Sequence, residues 1–212
     1  MGKILRDGLR QIALLMATTC LGTAASAASE QTLLLYGDSL LAGLGLPQED
    51  GFAGRLQDAL GPDVTVLNAS VSGDTSANGL GRIDWSLSER PVDAVVLELG
   101  ANDMLQGLPV DRMRHNLAAL IERFQAEGVP VLLVGMRASP SLGAEYMAAY
   151  DTAFPDLAAE FDVPLYPFFL DGVALDPALN QADGMHPNAD GVAKIVDRIL
   201  PEIESLLAQA AR

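Results

Sequence analysis

Asp183 and His186 stand three residues apart in Asp183-Gly184-Met185-His186-Pro187, a spacing that brings a carboxylate within reach of an imidazole. A carboxylate on one ring nitrogen fixes the tautomer, leaving the other nitrogen free to take a hydroxyl proton and return it to a leaving group. The matching hydroxyl is Ser39 in Gly37-Asp38-Ser39-Leu40, where glycine permits a sharp bend and the serine is delivered at the end of an apolar run. A serine activated in this way performs acyl transfer, which also needs donors for the developing oxyanion. Two segments offer them: Asn68-Ala69-Ser70-Val71-Ser72-Gly73-Asp74-Thr75 through the Gly73 backbone N–H, and Gly100-Ala101-Asn102-Asp103 through the Asn102 amide.

Each motif alone has an ordinary explanation: a turn or helix cap for Gly-Asp-Ser, a loop glycine for Gly73, an N-cap for Asn102, a surface histidine beside an aspartate for the last. Their weight comes from occurring together, each just after an expected strand, because ligands of open α/β sheets bind outside the carboxyl ends of the strands. The other histidine, His115, lies in a helix off the apolar stripe of Val110, Met113, Leu117, Leu120, Ile121 and Phe124 and reads as a solvated surface residue. With two histidines and one cysteine in 212 residues, a metal centre of several imidazoles or thiolates is not expected.

The elements that must position these residues alternate. Thr32 to Tyr36, Val64 to Asn68, Ala94 to Leu99, Val131 to Gly135 and Val163 to Tyr166 read as short apolar strands. Phe52 to Leu60, Val110 to Glu127, Ala144 to Phe161 and Asn188 to Ala208 show helical spacing. Strands that are continuously apolar are buried on both faces, so the fold class expected is α/β, a three-layer αβα sandwich around a five-stranded parallel sheet.

The first 27 residues read differently. Lys3, Arg6 and Arg10 precede an apolar run from Ile12 to Leu21, and Ala25-Ser26-Ala27 follows. A basic start, an apolar stretch well short of the ~20 residues of a spanning helix, and a small-x-small site describe a secretory signal peptide cleaved after Ala27. A lipoprotein signal at Cys20 fits less well, because Ala17 and Thr19 occupy the positions that usually hold Leu and a small residue. Residues 28–212 then form a single domain without cysteine. The segment's three basic and one acidic side chains leave with it, taking the net charge from −15 to −17. Such a surface repels phosphate backbones and anionic lipid, so nucleic acid and a stable membrane anchor are not expected partners.

On these residues the chain resembles the SGNH hydrolases, the GDSL family, whose four blocks place Ser, Gly, Asn and His in the order of Ser39, Gly73, Asn102 and His186. Leu35-Tyr36-Gly37-Asp38-Ser39-Leu40, Leu99-Gly100-Ala101-Asn102-Asp103 and Phe161-Asp162-Val163-Pro164-Leu165 are similar to the bacterial periplasmic arylesterase, acyl-CoA thioesterase and lysophospholipase group. The resemblance implies a flavodoxin-like sandwich, an exported enzyme of the periplasm, and hydrolysis of a small-molecule ester or thioester through an acyl-enzyme. It also implies an oxyanion hole of the Ser39 N–H, the Gly73 N–H and the Asn102 side chain, with no metal or cofactor. Two departures from the family pattern are Leu41, where relatives often have Ser, and Ala101, which replaces the second Gly of Gly-Gly-Asn-Asp. Leu41 is expected to make the pocket entrance more apolar, and Met104, Leu105, Leu108 and Pro109, in the turn after Asn102, to line an acyl-chain groove. The rival enzymatic reading is a carbohydrate deacetylase, for which Trp85 would be the sole tryptophan platform. A peptidase side activity and a noncatalytic binding domain are the remaining alternatives.

Overall fold

A computed structural model describes residues 31–88 and 90–211. The expected signal peptide lies outside the described residues. Five parallel strands, β1 (Gln31–Gly37), β2 (Val64–Asn68), β3 (Ala94–Glu98), β4 (Val131–Val134) and β5 (Leu165–Tyr166), form one sheet in the order β2-β1-β3-β4-β5. Leu33 to Tyr36 of β1 and Ala94 to Leu97 of β3 are fully buried, as strands covered on both faces must be. The edge strand β2 is only half-buried.

The helices are α1 (Ser39–Ala42), α2 (Phe52–Leu60), α3 (Ser76–Ser88), α4 (Ala101–Leu105), α5 (Val110–Ala126), α6 (Ala144–Phe161) and α7 (Ala189–Ala210). They sort into two layers: α2 packs on α7 over one face of the sheet, while α5 packs on both α3 and α6 over the other. In α7, Val192, Ile195, Val196, Ile199, Ile203 and Leu206 recur every three or four residues and are all buried, and the Asn188 side chain caps the helix by accepting from Gly191 N–H at 3.0 Å. The three-layer sandwich with a five-stranded parallel sheet is therefore present. The fifth strand is shorter than expected because Val163 N–H bonds back to Ala158 in the α6 turn and Pro164 has no N–H, leaving Leu165 and Tyr166 to pair.

Because β2 leaves β1 on one side and β3 lies on the other, chain direction diverges between the carboxyl ends of β1 and β3. That divergence opens the crevice in which a doubly wound sheet binds its ligand. Gly37 pairs with Glu98 at this point, so the turns carrying Ser39 and Asn102 face each other across the crevice.

Candidate active site

Ser39 is the first residue of α1, immediately after the bend at Gly37-Asp38. A Cβ on Gly37 would lie 2.6 Å from the Glu98 carbonyl and 2.8 Å from Leu41 Cδ1, so only glycine lets the chain turn so close to β3. Asp38 caps α1, its Oδ1 accepting from Leu40 N–H at 3.0 Å. This brings Ser39 Oγ to 2.8 Å from His186 Nε2, a hydrogen bond across 147 residues of chain.

The His186 Nδ1 lies 2.6 Å from Asp183 Oδ2, while Asp183 Oδ1 accepts the backbone N–H groups of His186 at 3.0 Å and Met185 at 2.9 Å. The two amides, with the imidazole, pull the Asp183 carboxyl down to about 2, so it is ionised at neutral pH. The loop that carries this pair is tied to the body by a few polar contacts. The Asn180–Pro187 bridge and Gln181 N–H on the His186 carbonyl at 2.8 Å close it, while the Gln181 amide donates to the Leu44 carbonyl at 2.8 Å and the Asn180 amide to the carbonyls of Val173 and Asp176 at 2.7 and 2.8 Å.

The Asn102 amide points into the same crevice. Its Nδ2 donates to Asp38 Oδ2 at 2.9 Å and to the Asp74 carbonyl at 3.0 Å, so both of its protons are engaged and an oxyanion arriving here must compete for one. Gly73, at φ 89°, lines the crevice too, and among the described residues neither its N–H nor that of Ser39 has a hydrogen-bond acceptor. Asp103 holds the Gly73 loop in place by accepting from Ser76 N–H at 2.7 Å and Ser76 Oγ at 2.6 Å, and Asn116 donates to the same hydroxyl at 3.0 Å. Arg82 completes the frame. It pairs with Asp74 at 2.6 Å, donates to the carbonyls of Ala69 and Gly37, and lies 4.1 Å from the Tyr36 ring centroid.

The chain matches the GDSL-like lipase/acylhydrolase family over residues 35–194, a span that contains Ser39, Gly73, Asn102, Asp183 and His186. The chain belongs to that family. It is 40% identical over 183 residues to the esterase TesA of Pseudomonas aeruginosa, covering 85% of this chain and 91% of that one. Identity to thioesterase 1/protease 1/lysophospholipase L1 of Escherichia coli K12 is 37% over 181 residues, 85% of this chain and 87% of the relative. A crystal structure of the psychrotrophic esterase EstA from Pseudoalteromonas, inhibited by monoethylphosphonate, superposes with a TM-score of 0.79 at 35% identity, covering 84% and 99% of the two chains.

Beneath the serine of this family member lies a feature that the sequence did not flag. Glu98, the last residue of β3, is fully buried, and its Oε2 is 3.4 Å from Asp38 N–H. Burial, then the neighbouring Asp38 charge, pushes the Glu98 carboxyl well above the usual range, while burial lifts Asp38 to about 6 against the pull of the Leu40 N–H. Glu98 Oε1 has no partner, which suits a neutral carboxylic acid and would be costly for a carboxylate. At neutral pH, Glu98 therefore holds the proton and Asp38, with the Leu40 and Asn102 donors on its oxygens, the charge. Both groups bind protons more tightly folded than unfolded. Their contribution to stability is complete below about pH 4 and is lost as pH rises through about 6 and beyond. Glu98→Gln, a neutral isostere, should raise the melting temperature at pH 8 by about 2–4 °C and flatten its fall between pH 5 and 8, as thermal scans across that range would show.

The crevice widens into a cavity of about 650 Å³ that reaches Ser39, Gly73, Asn102 and His186. Of the residues expected to shape it, Met104 and Leu105 line it, and Leu41, Leu108 and Pro109 do not. Leu41 faces inward from α1 and is fully buried under the end of β1. Leu108 closes the turn after α4, its N–H on the Asp103 carbonyl and its own carbonyl on the Tyr146 hydroxyl, and the exposed Pro109 caps α5 outside the cavity. Much of the remaining wall comes from segments that the sequence reading passed over: Met136 to Pro140 after β4, and Phe168, Leu170, Ala174 and Leu175 after β5.

Proposed function

We propose that the protein is a carboxylic ester hydrolase that works through an acyl-enzyme on Ser39. The observation that carries this reading is the unbroken line Ser39 Oγ, His186 Nε2, His186 Nδ1, Asp183 Oδ2, at 2.8 and 2.6 Å, beside two unpaired amide N–H groups. His186 takes the Ser39 proton as Oγ attacks the acyl carbonyl, Asp183 stabilises the imidazolium, and His186 returns the proton to the departing oxygen or sulfur. Water repeats the sequence on the acyl-enzyme. The oxyanion is received by the Ser39 and Gly73 N–H groups together with Asn102. The mainly apolar cavity holds the acyl chain, with Met104 and Leu105 on its wall. The names of the relatives, esterase and thioesterase/lysophospholipase, support oxygen esters and thioesters as substrates.

Asn102→Ala tests the oxyanion assignment. It should lower kcat on 4-nitrophenyl esters about 10²- to 10³-fold with a smaller change in KM. An Asn102→Ala protein that is folded by circular dichroism and turns over at the wild-type rate would remove Asn102 from the hole.

The rival deacetylase reading loses its platform, because Trp85 stands exposed on α3 and is not part of the cavity wall. Export to the periplasm is proposed from the leader of residues 1–27. Among the described residues no helix is long and apolar enough to cross a membrane.

A further inference from the structure

Arg137, in the segment after β4, is among the described residues the one arginine or lysine on the cavity wall. The chain carries 28 acidic residues against 13 basic ones, and Arg55, Arg82, Arg114, Arg123 and Arg198 each meet a carboxylate. Arg137 meets none among the described residues. Its guanidinium instead lies 5.3 Å from the ring centroid of Phe168, another wall residue, which steadies the side chain while leaving its N–H donors unused. Neither Arg90 nor Arg112 belongs to this cavity. An arginine stacked on one face and unmatched at its donors is a preorganised receptor for carboxylate, phosphate or sulfonate. The rest of the wall is largely apolar; its one carboxylate, Asp38, has its oxygens bonded to Leu40 and Asn102, and Asp151, off the wall, accepts from Ala138 N–H at 3.0 Å without an ion pair to Arg137.

We propose that Arg137 selects acyl esters and thioesters that carry an anionic group on one of their two arms. This rests on the hydrolase reading above and names the substrate class of the same site. The anion can sit on the leaving group or at the far end of the acyl chain, and matched substrates separate the two. On the leaving-group arm, the octanoyl thioester of 2-mercaptoethanesulfonate is compared with that of neutral 2-mercaptoethanol. On the acyl arm, the 4-nitrophenyl monoester of suberic acid is compared with 4-nitrophenyl octanoate.

The readout is the ratio of kcat/KM for the anionic member to that for its neutral partner, which cancels any loss of packing against Phe168. Arg137→Met should lower that ratio about fivefold in one pair, mainly through KM, Arg137→Lys should keep most of it, and Arg137→Glu should lower it further. High salt should erode the ratio in the wild type and leave it unchanged in Arg137→Met. The pair that responds identifies the arm. A ratio that is the same in wild type, Arg137→Met and Arg137→Glu for both pairs overturns the inference while leaving the hydrolase reading intact. A wild type that turns over none of the four substrates overturns the hydrolase reading itself, and the inference with it.

Discussion

Ser39→Ala should lower kcat on 4-nitrophenyl esters by about four to six orders of magnitude and leave the fold untouched. The fold should survive because the Ser39 hydroxyl has one hydrogen bond, to His186 Nε2, and alanine is at least as good as serine at the start of a helix. The turn itself is held by Asp38 and by Gly37 packed against Glu98, neither of which the substitution touches. The loss should be total in effect because no other hydroxyl within the site contacts the imidazole. Steady-state rates measured alongside circular dichroism decide the matter: a folded Ser39→Ala protein with substantial turnover would mean that the acyl group is transferred to water directly.

The second large effect is expected at Asp183. Asn in its place can keep the carbonyl oxygen where Oδ1 now accepts the His186 and Met185 N–H groups, so the loop keeps its shape. The amide nitrogen would then occupy the place of Oδ2 and donate to His186 Nδ1, forcing the ring proton onto Nε2. A protonated Nε2 facing Ser39 cannot take the serine proton, and kcat at pH 8 should fall about 10⁴-fold. If Asp183→Asn cost less than about tenfold, the carboxylate would be a loop clamp and not the partner of the base.

Much of this arrangement was legible in the chain because its strands are apolar throughout and its helices amphipathic. Strand β2 and helices α2 and α6 fall at the expected residues, and β3, β4, α5 and α7 differ by one or two at their ends. Helix α3 was not legible. Ser76 to Ser88 contains Gly79 and Gly81 and several serines, a poor helix by propensity. The structure explains Gly79: a Cβ there would lie 2.4 Å from Leu99, and its carbonyl accepts the Tyr36 hydroxyl at 2.7 Å, so packing against the sheet sets the residue and overrides propensity. The short α1 and α4 escape periodicity analysis because neither completes two turns.

That Ser39, Gly73, Asn102, Asp183 and His186 would come together in one crevice was readable because each sits in a turn with a distinctive neighbour. Glu98 was not, since a single acid ending the run Ala94-Val95-Val96-Leu97 looks like the first solvated residue after a strand, and nothing local shows that Asp38 will fold over it. Leu41, Leu108 and Pro109 were misplaced for a related reason: adjacency in sequence does not say which face of a one-turn helix or tight turn points to the cavity. Arg137 carried a usable signal, because it follows β4 at the same carboxyl edge of the sheet as the other site residues.

Ser39 and the proposed base, His186, are anchored to parts of the molecule with unequal tenacity. Ser39 hangs from β1, a strand paired on both sides and buried from Leu33 to Gly37, whereas the Asp183–His186 loop is closed by the Asn180–Pro187 bridge and joined to the body by the Asn180 and Gln181 side-chain hydrogen bonds, with Asp183 and Met185 exposed. A segment held by a few surface hydrogen bonds opens at far lower free energy than a central strand. On warming, the base should therefore swing away from the serine while the sheet is still intact, and the enzyme would lose its activity reversibly over a range of temperature in which it is, by every measure of secondary structure, still native.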